Sequence, residues 1–201
     1  SKTTDVGIVH RPGFSDQTAY AGAAAIKILD FFEEYYGIDY PGSKLDLIAV
    51  PDFAMGAMEN VGAVTFRETL LLIDVEKATR SELSRSISVI AHELAHMWFG
   101  DLVTMDWWDG IWLNEAFASL MEVIASEATY PEFKLWNEMN QDRSRGFGVD
   151  SLKSSRPVEF EVKSPEEAEE MFDVLTYQKG STVLRMFETF IGEESFKEGV
   201  R

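Results

Sequence analysis

The chain of 201 residues contains no cysteine. A disulfide framework and a thiolate zinc site are therefore both excluded, and any metal ion must take nitrogen and oxygen ligands. Basic residues are also scarce, because 18 lysines and arginines stand against 35 acidic residues and leave a formal net charge of -17. This balance argues against nucleic acids and anionic membranes as partners, since both are bound by clustered basic side chains.

Long apolar runs are missing as well. The longest, such as residues 70–73, fall far short of the roughly 20 residues that cross a bilayer. Nothing in the chain resembles a signal peptide. We therefore predict no membrane contact for these residues and a cytoplasmic location, although terminal signals can be lost together with neighbouring domains.

The hydrophobic patterning predicts a mixed α+β domain, with strands first and helices later. Ser15 can cap a helix that carries regularly spaced apolar residues and stops at Gly37. Residues 45–50 read as a strand that Pro51 ends, and residues 61–73 read as a second extended segment rich in β-forming side chains. A share of 45% hydrophobic residues is enough for one substantial core.

The second half of the chain is predicted to be mainly helical. Thr79 followed by Glu82 forms a capping box, and apolar residues then recur at helical spacing until Gly100, which predicts a long buried helix. A tryptophan-rich connection leads to another helix over about residues 111–128. Shorter helices are expected around 133–143, 165–172 and 179–191, with an ordered loop over 151–161.

A metal-binding motif lies inside the long helix at residues 92–96, His-Glu-Leu-Ala-His. Residues four apart project from the same face of a helix, so His92 and His96 can share one ion. Glu93 can reach the edge of the same site and take a proton from a water there. A catalytic zinc needs a third protein ligand. Glu115 qualifies because eighteen residues separate it from His96, which is long enough for the next helix to run back antiparallel to the first.

Plainer interpretations of these residues exist. The two histidines could be core residues and Glu115 a solvated acid, but imidazoles and carboxylates buried without partners are costly, and a metal ion removes that cost. Glu122 lies two helical turns beyond Glu115 on the same face. Its carboxylate could accept a hydrogen bond from a ligand histidine and so orient that ring, or it could equally be a simple acid on the helix surface.

Three signatures in order resemble the aminopeptidase N family of gluzincin zinc metallopeptidases. They are the segment Gly56, Ala57, Met58, Glu59 and Asn60, the zinc motif completed by Glu115, and the run Tyr177-Gln178-Lys179-Gly180. The resemblance covers essentially the whole chain. It implies that the chain is the catalytic domain of a zinc-dependent aminopeptidase, holding one Zn²⁺ per chain.

The resemblance also implies a thermolysin-like fold. Residues 1–78 would form a lobe with a mixed β-sheet and residues 79–201 a mainly helical lobe, with the zinc site in the cleft between them. The family's amino-terminal β domain and carboxy-terminal helical domain have no counterpart in this sequence. We therefore expect these flanking domains of the same chain as partners.

Residue roles follow from the resemblance position by position. Residues 56–60 would bind the peptide substrate, with Glu59 holding its free α-amino group, so that only the first residue is removed. Glu93 would act as general base and then general acid. Tyr177 would donate to the developing oxyanion opposite the zinc.

Three alternatives remain at this point. A zinc endopeptidase on the same scaffold would cleave blocked internal peptides, a related branch hydrolyses a lipid epoxide, and a catalytically inactive scaffold or interaction domain would have lost its metal. The intact ligand set counts against the last of these, and the segment that ends at Asn60 counts against the first.

Overall fold

The computed structural model describes residues 4–201. In that part of the chain a four-stranded sheet is combined with eight α-helices, so the prediction of a mixed α+β domain is confirmed. The strands are β1 (Asp5–Val9), β2 (Lys44–Val50), β3 (Ala57–Met58) and β4 (Ala63–Arg67). The helices are α1 (Ala19–Tyr36), α2 (Glu68–Leu71), α3 (Arg80–His96), α4 (Ile111–Thr129), α5 (Leu135–Asp150), α6 (Pro165–Glu169), α7 (Gly180–Ile191) and α8 (Glu193–Gly199).

The sheet has the strand order β1-β2-β4-β3 and is mixed. β2 lies between two parallel neighbours, with Leu47 opposite Ile8 of β1 and Val64 of β4. β3 pairs antiparallel with β4 and places Ala57 opposite Phe66. Because β3 ends the strand order, it forms one edge of the sheet that the described residues build.

The core lies between the sheet and the helices α1, α3 and α4. Alternate residues of β2 are buried, as expected for a strand with one face against helices, and Leu45 and Leu47 are fully enclosed. Ile28 of α1 and Leu94 of α3 meet them in the same cluster. Each such side chain contributes roughly 1.5–3 kcal/mol on burial, so the core holds α3 firmly against the sheet.

Helix α3 begins where the sequence predicts and ends earlier than predicted. The Thr79 side chain accepts a hydrogen bond from the backbone of Glu82, and the Glu82 carboxylate accepts one from the backbone N–H of Thr79, which completes the capping box. The helix ends at His96, not at Gly100. Gly100 instead lies in the turn that follows, at φ +131°, a conformation that glycine adopts easily.

The extended segment predicted over residues 61–73 is wrong in its second half. Strand β4 stops at Arg67 because its partner β2 ends at Val50, the residue opposite, so the chain beyond has no strand to pair with. It forms the short helix α2 instead. Helix α5 is longer than predicted and α6 shorter, while residues 151–161 contain neither helix nor strand, as expected of the loop. None of the helices in residues 4–201 is both long and apolar enough to span a membrane.

Candidate metal centre and active site

Two neighbouring helices bring the predicted metal ligands together. Helix α3 carries His92 and His96, and helix α4 carries Glu115 and Glu122. Glu115 contacts both histidines, whereas Glu122 contacts His92 and, one turn earlier on α3, the hydroxyl of Ser88. The two helices therefore run in opposite directions, and the connection between them makes the return that the spacing predicts.

The ligand atoms converge on one point. The Nε2 atoms of His92 and His96 are 3.2 Å apart. Glu115 Oε2 lies 3.2 Å from the Nε2 atom of His92 and 3.6 Å from that of His96. One ligand atom from each residue falls within a 4.8 Å cluster, and the group could hold a metal ion. His96 and Glu115 are buried, and only 12% of the His92 side chain is exposed.

The other nitrogen of each imidazole faces an acceptor. His92 Nδ1 lies 3.1 Å from Glu122 Oε2, and His96 Nδ1 lies 3.1 Å from the carbonyl oxygen of Phe99. Since a carboxylate and a carbonyl can only accept, Nδ1 must carry the proton in each ring. The Nε2 atom of each ring therefore faces the common point, where it would offer its lone pair to a metal ion that displaces any proton on it.

The histidines and carboxylates of the site shift one another's pKa values towards the charged forms. Burial favours neutral histidines, but hydrogen bonds with Glu115 and Glu122 outweigh it and hold the pKa of His92 well above its ordinary value. Burial likewise opposes ionisation of Glu115, yet its hydrogen bonds with the two histidines lower its pKa. Glu115 is therefore an anion at neutral pH. Glu93 differs, because burial raises its pKa to about 7.

A cavity of about 270 Å³ opens beside the ligand group. Its walls include His92, Glu93 and Glu122 from the helix pair, together with Tyr177 and the backbone at Gly56. Glu93 therefore faces the same space as a ligand histidine. This placement lets a small molecule in the cavity contact both a predicted metal ligand, His92, and the adjacent carboxylate of Glu93.

Tyr177 lies in a π-helical segment, Leu175–Lys179, that runs into α7. Its ring centroid is 6.0 Å from that of His92. The chain can pack closely against α4 at this point because Gly180 has no side chain. A β-carbon there would lie 2.7 Å from the β-carbon of Ala116. Burial, followed by the negative charge of Glu115, raises the pKa of Tyr177, so its hydroxyl keeps its proton and can donate a hydrogen bond.

Residues 56–60 form the sheet edge next to this site. Ala57 and Met58 make up β3, and Glu59 follows with its Oε1 atom 4.0 Å from His96 Nδ1. Asn60 holds the tight turn into β4, because its carbonyl accepts from the backbone N–H of Ala63 at 2.9 Å. Gly56 closes the hairpin at its other end, where its carbonyl accepts from the N–H of Arg67. The segment thus brings Glu59 to the metal group, whereas the side chain of Met58 is largely exposed.

Two polar residues at the site were not predicted from the sequence. Asn114, next to Glu115 on α4, donates from Nδ2 to Glu115 Oε1 at 3.1 Å and to Glu59 Oε1 at 3.5 Å. Asp101 follows the turn at Gly100, and burial, then the charge of Glu59, raises its pKa to about 6. Adjacency to a ligand was the signal available for Asn114, but nothing local marked Asp101.

Comparison with known proteins places this chain in a family. A model of the peptidase family M1 domain matches residues 20–201. The chain therefore belongs to peptidase family M1, whose members include the aminopeptidases that the three signatures resemble, and the predicted family is confirmed.

The curated relatives match nearly the whole chain. Endoplasmic reticulum aminopeptidase 2 of Homo sapiens is 49% identical over 200 residues, which is 100% of this chain and 21% of that protein. Aminopeptidase M1 of Arabidopsis thaliana is 45% identical over 94% of this chain and 21% of its own length. Puromycin-sensitive aminopeptidase of Caenorhabditis elegans is 46% identical over 94% of this chain and 20% of its own. The chain thus spans about a fifth of the length of the relatives it matches.

Proposed function

We propose that this chain is the zinc-binding catalytic domain of an aminopeptidase, which hydrolyses the amino-terminal peptide bond of peptides. The observation that carries the proposal is the meeting of the His92, His96 and Glu115 ligand atoms within 4.8 Å, with the Glu59 carboxylate 4.0 Å from the second histidine. The names of the relatives, all aminopeptidases, support the same reaction.

The donor set fits zinc. Two imidazole nitrogens and one carboxylate oxygen are the three protein ligands of many catalytic zinc sites, which leave a further position open. The ionised Glu115 and the Nε2 atoms of the two histidines, whose Nδ1 atoms donate to other acceptors, face one buried point. When bound, Zn²⁺ would supply Lewis-acid polarisation of a carbonyl and lower the pKa of a water molecule towards about 7.

Glu93 would move the proton. It follows His92 on α3 and faces the cavity, so its carboxylate can accept a proton from the attacking water and return it to the leaving amine. Because Glu93 is almost fully buried, the proton is passed within the site and not to bulk solvent. It therefore serves as general base and then as general acid.

Tyr177 would stabilise the oxyanion. Its hydroxyl remains protonated, and its ring lies beside His92 on the cavity side of the site. A hydrogen bond from this hydroxyl to the carbonyl oxygen strengthens as negative charge develops there, which lowers the barrier of the reaction.

Glu59 would select the substrate's free amino terminus. A carboxylate that lies beside His96 and shares the Asn114 donor with Glu115 would favour a cationic amine close to the metal group, so cleavage would be confined to the first residue. The neighbouring residues Ala57 and Met58 form the sheet edge, along which an extended peptide can pair by strand addition.

Two further parts of the proposal concern architecture. The sheet lies within residues 5–67 and the long ligand-bearing helices follow residue 79, which supports a thermolysin-like division into lobes over 1–78 and 79–201. The relatives are about five times as long as this chain, which supports flanking domains of the same protein as its partners.

The test is an assay of the intact protein on a panel of aminoacyl anilides, before and after chelation and zinc restoration. Free aminoacyl anilides should be hydrolysed and their N-acetylated forms should not. Activity that a chelator leaves unchanged would refute the metal mechanism. Equal cleavage of the acetylated compounds would refute the role of Glu59 and favour an endopeptidase.

A further inference from the structure

The Asn114 side chain lies between two carboxylates with different proposed tasks. It belongs to the first turn of α4 and is only 7% exposed. Its Nδ2 atom donates to Glu115 Oε1 at 3.1 Å and to Glu59 Oε1 at 3.5 Å. One amide nitrogen thus joins the metal-binding acid on a helix to the amine-binding acid on the sheet edge.

The orientation of this amide follows from chemistry. Carboxylate oxygens accept hydrogen bonds but do not donate them, so the NH₂ group of Asn114 must face Glu59 and Glu115. The amide oxygen then faces Gly100, on the side away from the two carboxylates, where a β-carbon would lie only 2.5 Å from it. Because Gly100 has no side chain and adopts φ +131°, the backbone of the turn after α3 can pack directly against the amide oxygen of Asn114.

Burial of the Asn114 amide also costs free energy. Its Oδ1 atom is buried and has no hydrogen-bond partner among residues 4–201, and such an atom costs roughly 1–3 kcal/mol. The two hydrogen bonds to charged acceptors offset this cost. A leucine of similar size would avoid the cost but would leave both carboxylates without this donor.

A neutral donor suits this position. Glu59 and Glu115 repel each other, and both must stay anionic to hold an amine and a metal ion. A lysine at 114 would neutralise the charge that those ligands need, whereas asparagine ties the two carboxylates together without cancelling either.

We propose that Asn114 is a positioning residue that sets the distance between Glu59 and Glu115, so that α-amine recognition and metal binding are coupled through one side chain. The inference rests on the proposed function, since it gives a structural basis for the spacing between the amine anchor and the metal. It predicts that both properties weaken together when the donor is lost.

The test compares Asn114→Leu and Asn114→Ala with matched changes at Asn137, which is exposed on α5. In the intact protein with saturating zinc, inhibition constants are measured for leucine hydroxamate and for the analogue that lacks only its α-amine. Zinc affinity is measured separately by competition with a chelator. In the Asn114 variants we expect the preference for the amine to fall about 10-fold and zinc affinity to fall about 10-fold, the lower end of the effects of residues that orient metal ligands.

The outcomes separate the possible failures. An unchanged amine preference in the folded Asn114 variants overturns the inference, and so does a change in only one of the two quantities, since the coupling would then be absent. If the leucine variant does not fold, as judged by circular dichroism, the smaller alanine variant carries the test. A wild-type protein with no amine preference would contradict the proposed function of Glu59, and the coupling with it.

Discussion

The metal group and the segment proposed to bind the substrate amine are built in opposite ways. His92, His96 and Glu115 project from two long helices that are buried in the main core. Glu59 follows a strand of two residues at the edge of the sheet, where its neighbour Met58 is 46% exposed. The proposed ligands therefore stand on long, buried helices, whereas Glu59 stands on a short hairpin.

The metal ligands and Glu59 are therefore positioned by different structural features. Helical spacing alone aligns His92 with His96, and α4 needs only to pack beside α3 to supply Glu115. The position of Glu59 depends on hydrogen bonds of the hairpin and on the donor of Asn114. We therefore expect changes in the helix pair to remove catalysis or metal, and changes at the edge to alter substrate choice.

The largest effect is expected from Glu93→Gln. The variant keeps the shape of the side chain but cannot take up the proton, so kcat should fall by about 100-fold to 10,000-fold while zinc remains bound. The measurements are anilide hydrolysis and zinc content by mass spectrometry. Glu34→Gln, the same change on an exposed position of α1, is the control and should leave both unchanged. A Glu93→Gln protein with near-normal turnover would mean that the proposed base is wrong.

A smaller effect, confined to recognition, is expected from Glu59→Gln. Loss of a charge-assisted hydrogen bond of about 1.5–3 kcal/mol should lower kcat/KM for free aminoacyl anilides by about 10-fold to 100-fold. Zinc affinity should change much less, because Glu59 is not among the three ligands. Chelator competition alongside the kinetics checks this split. A variant that lost its zinc instead would show that the edge and the helix pair do not have separate tasks.

Glu122→Gln should weaken the metal site without removing it. Glu122 accepts from His92 Nδ1 and so fixes the orientation of that ring. Substitution of such a residue usually costs 10–100-fold in metal affinity, and we expect about 10-fold, since glutamine keeps one acceptor. Chelator titration of the folded variant measures the change. Unaltered affinity would support the alternative that Glu122 is a simple acid on the helix.

The smallest effect is expected from Asp101→Asn, at the turn between the two regions. Burial raises the pKa of Asp101 to about 6 from 3.8, so folding takes up a proton between these values. The contribution of this group to stability is full below about pH 4 and is lost as the pH rises through about 6. The variant should therefore melt higher than wild type at pH 7, by on the order of 2 °C, and equally at pH 4.

Thermal unfolding at both pH values checks this, with Asp106→Asn on the exposed part of the same loop as control. A variant that melts lower at pH 7 would show that the charge of Asp101 is needed by its surroundings.

The sequence predicted the helix pair better than the strands. The capping box at Thr79 and the apolar spacing of α3 are local signals, and the start of the helix agrees with them. The extended segment over 61–73 was wrong beyond Arg67, because a strand needs a partner and β2 ends opposite that residue. Pairing partners are set by the fold and leave no mark in the segment itself.

The same division holds within the site. The spacing of His92, Glu93 and His96 determined by itself that they share one region of a helix, because helical geometry relates residues four apart. The sequence also supplied the residue types that suit a metal and excluded thiolate ligands. Only the tertiary structure decided that the Asn114 amide joins Glu59 to Glu115. That contact brings together parts of the chain 55 residues apart, and only the packing of α3 against β3 and of α4 against α3 determines such a distance.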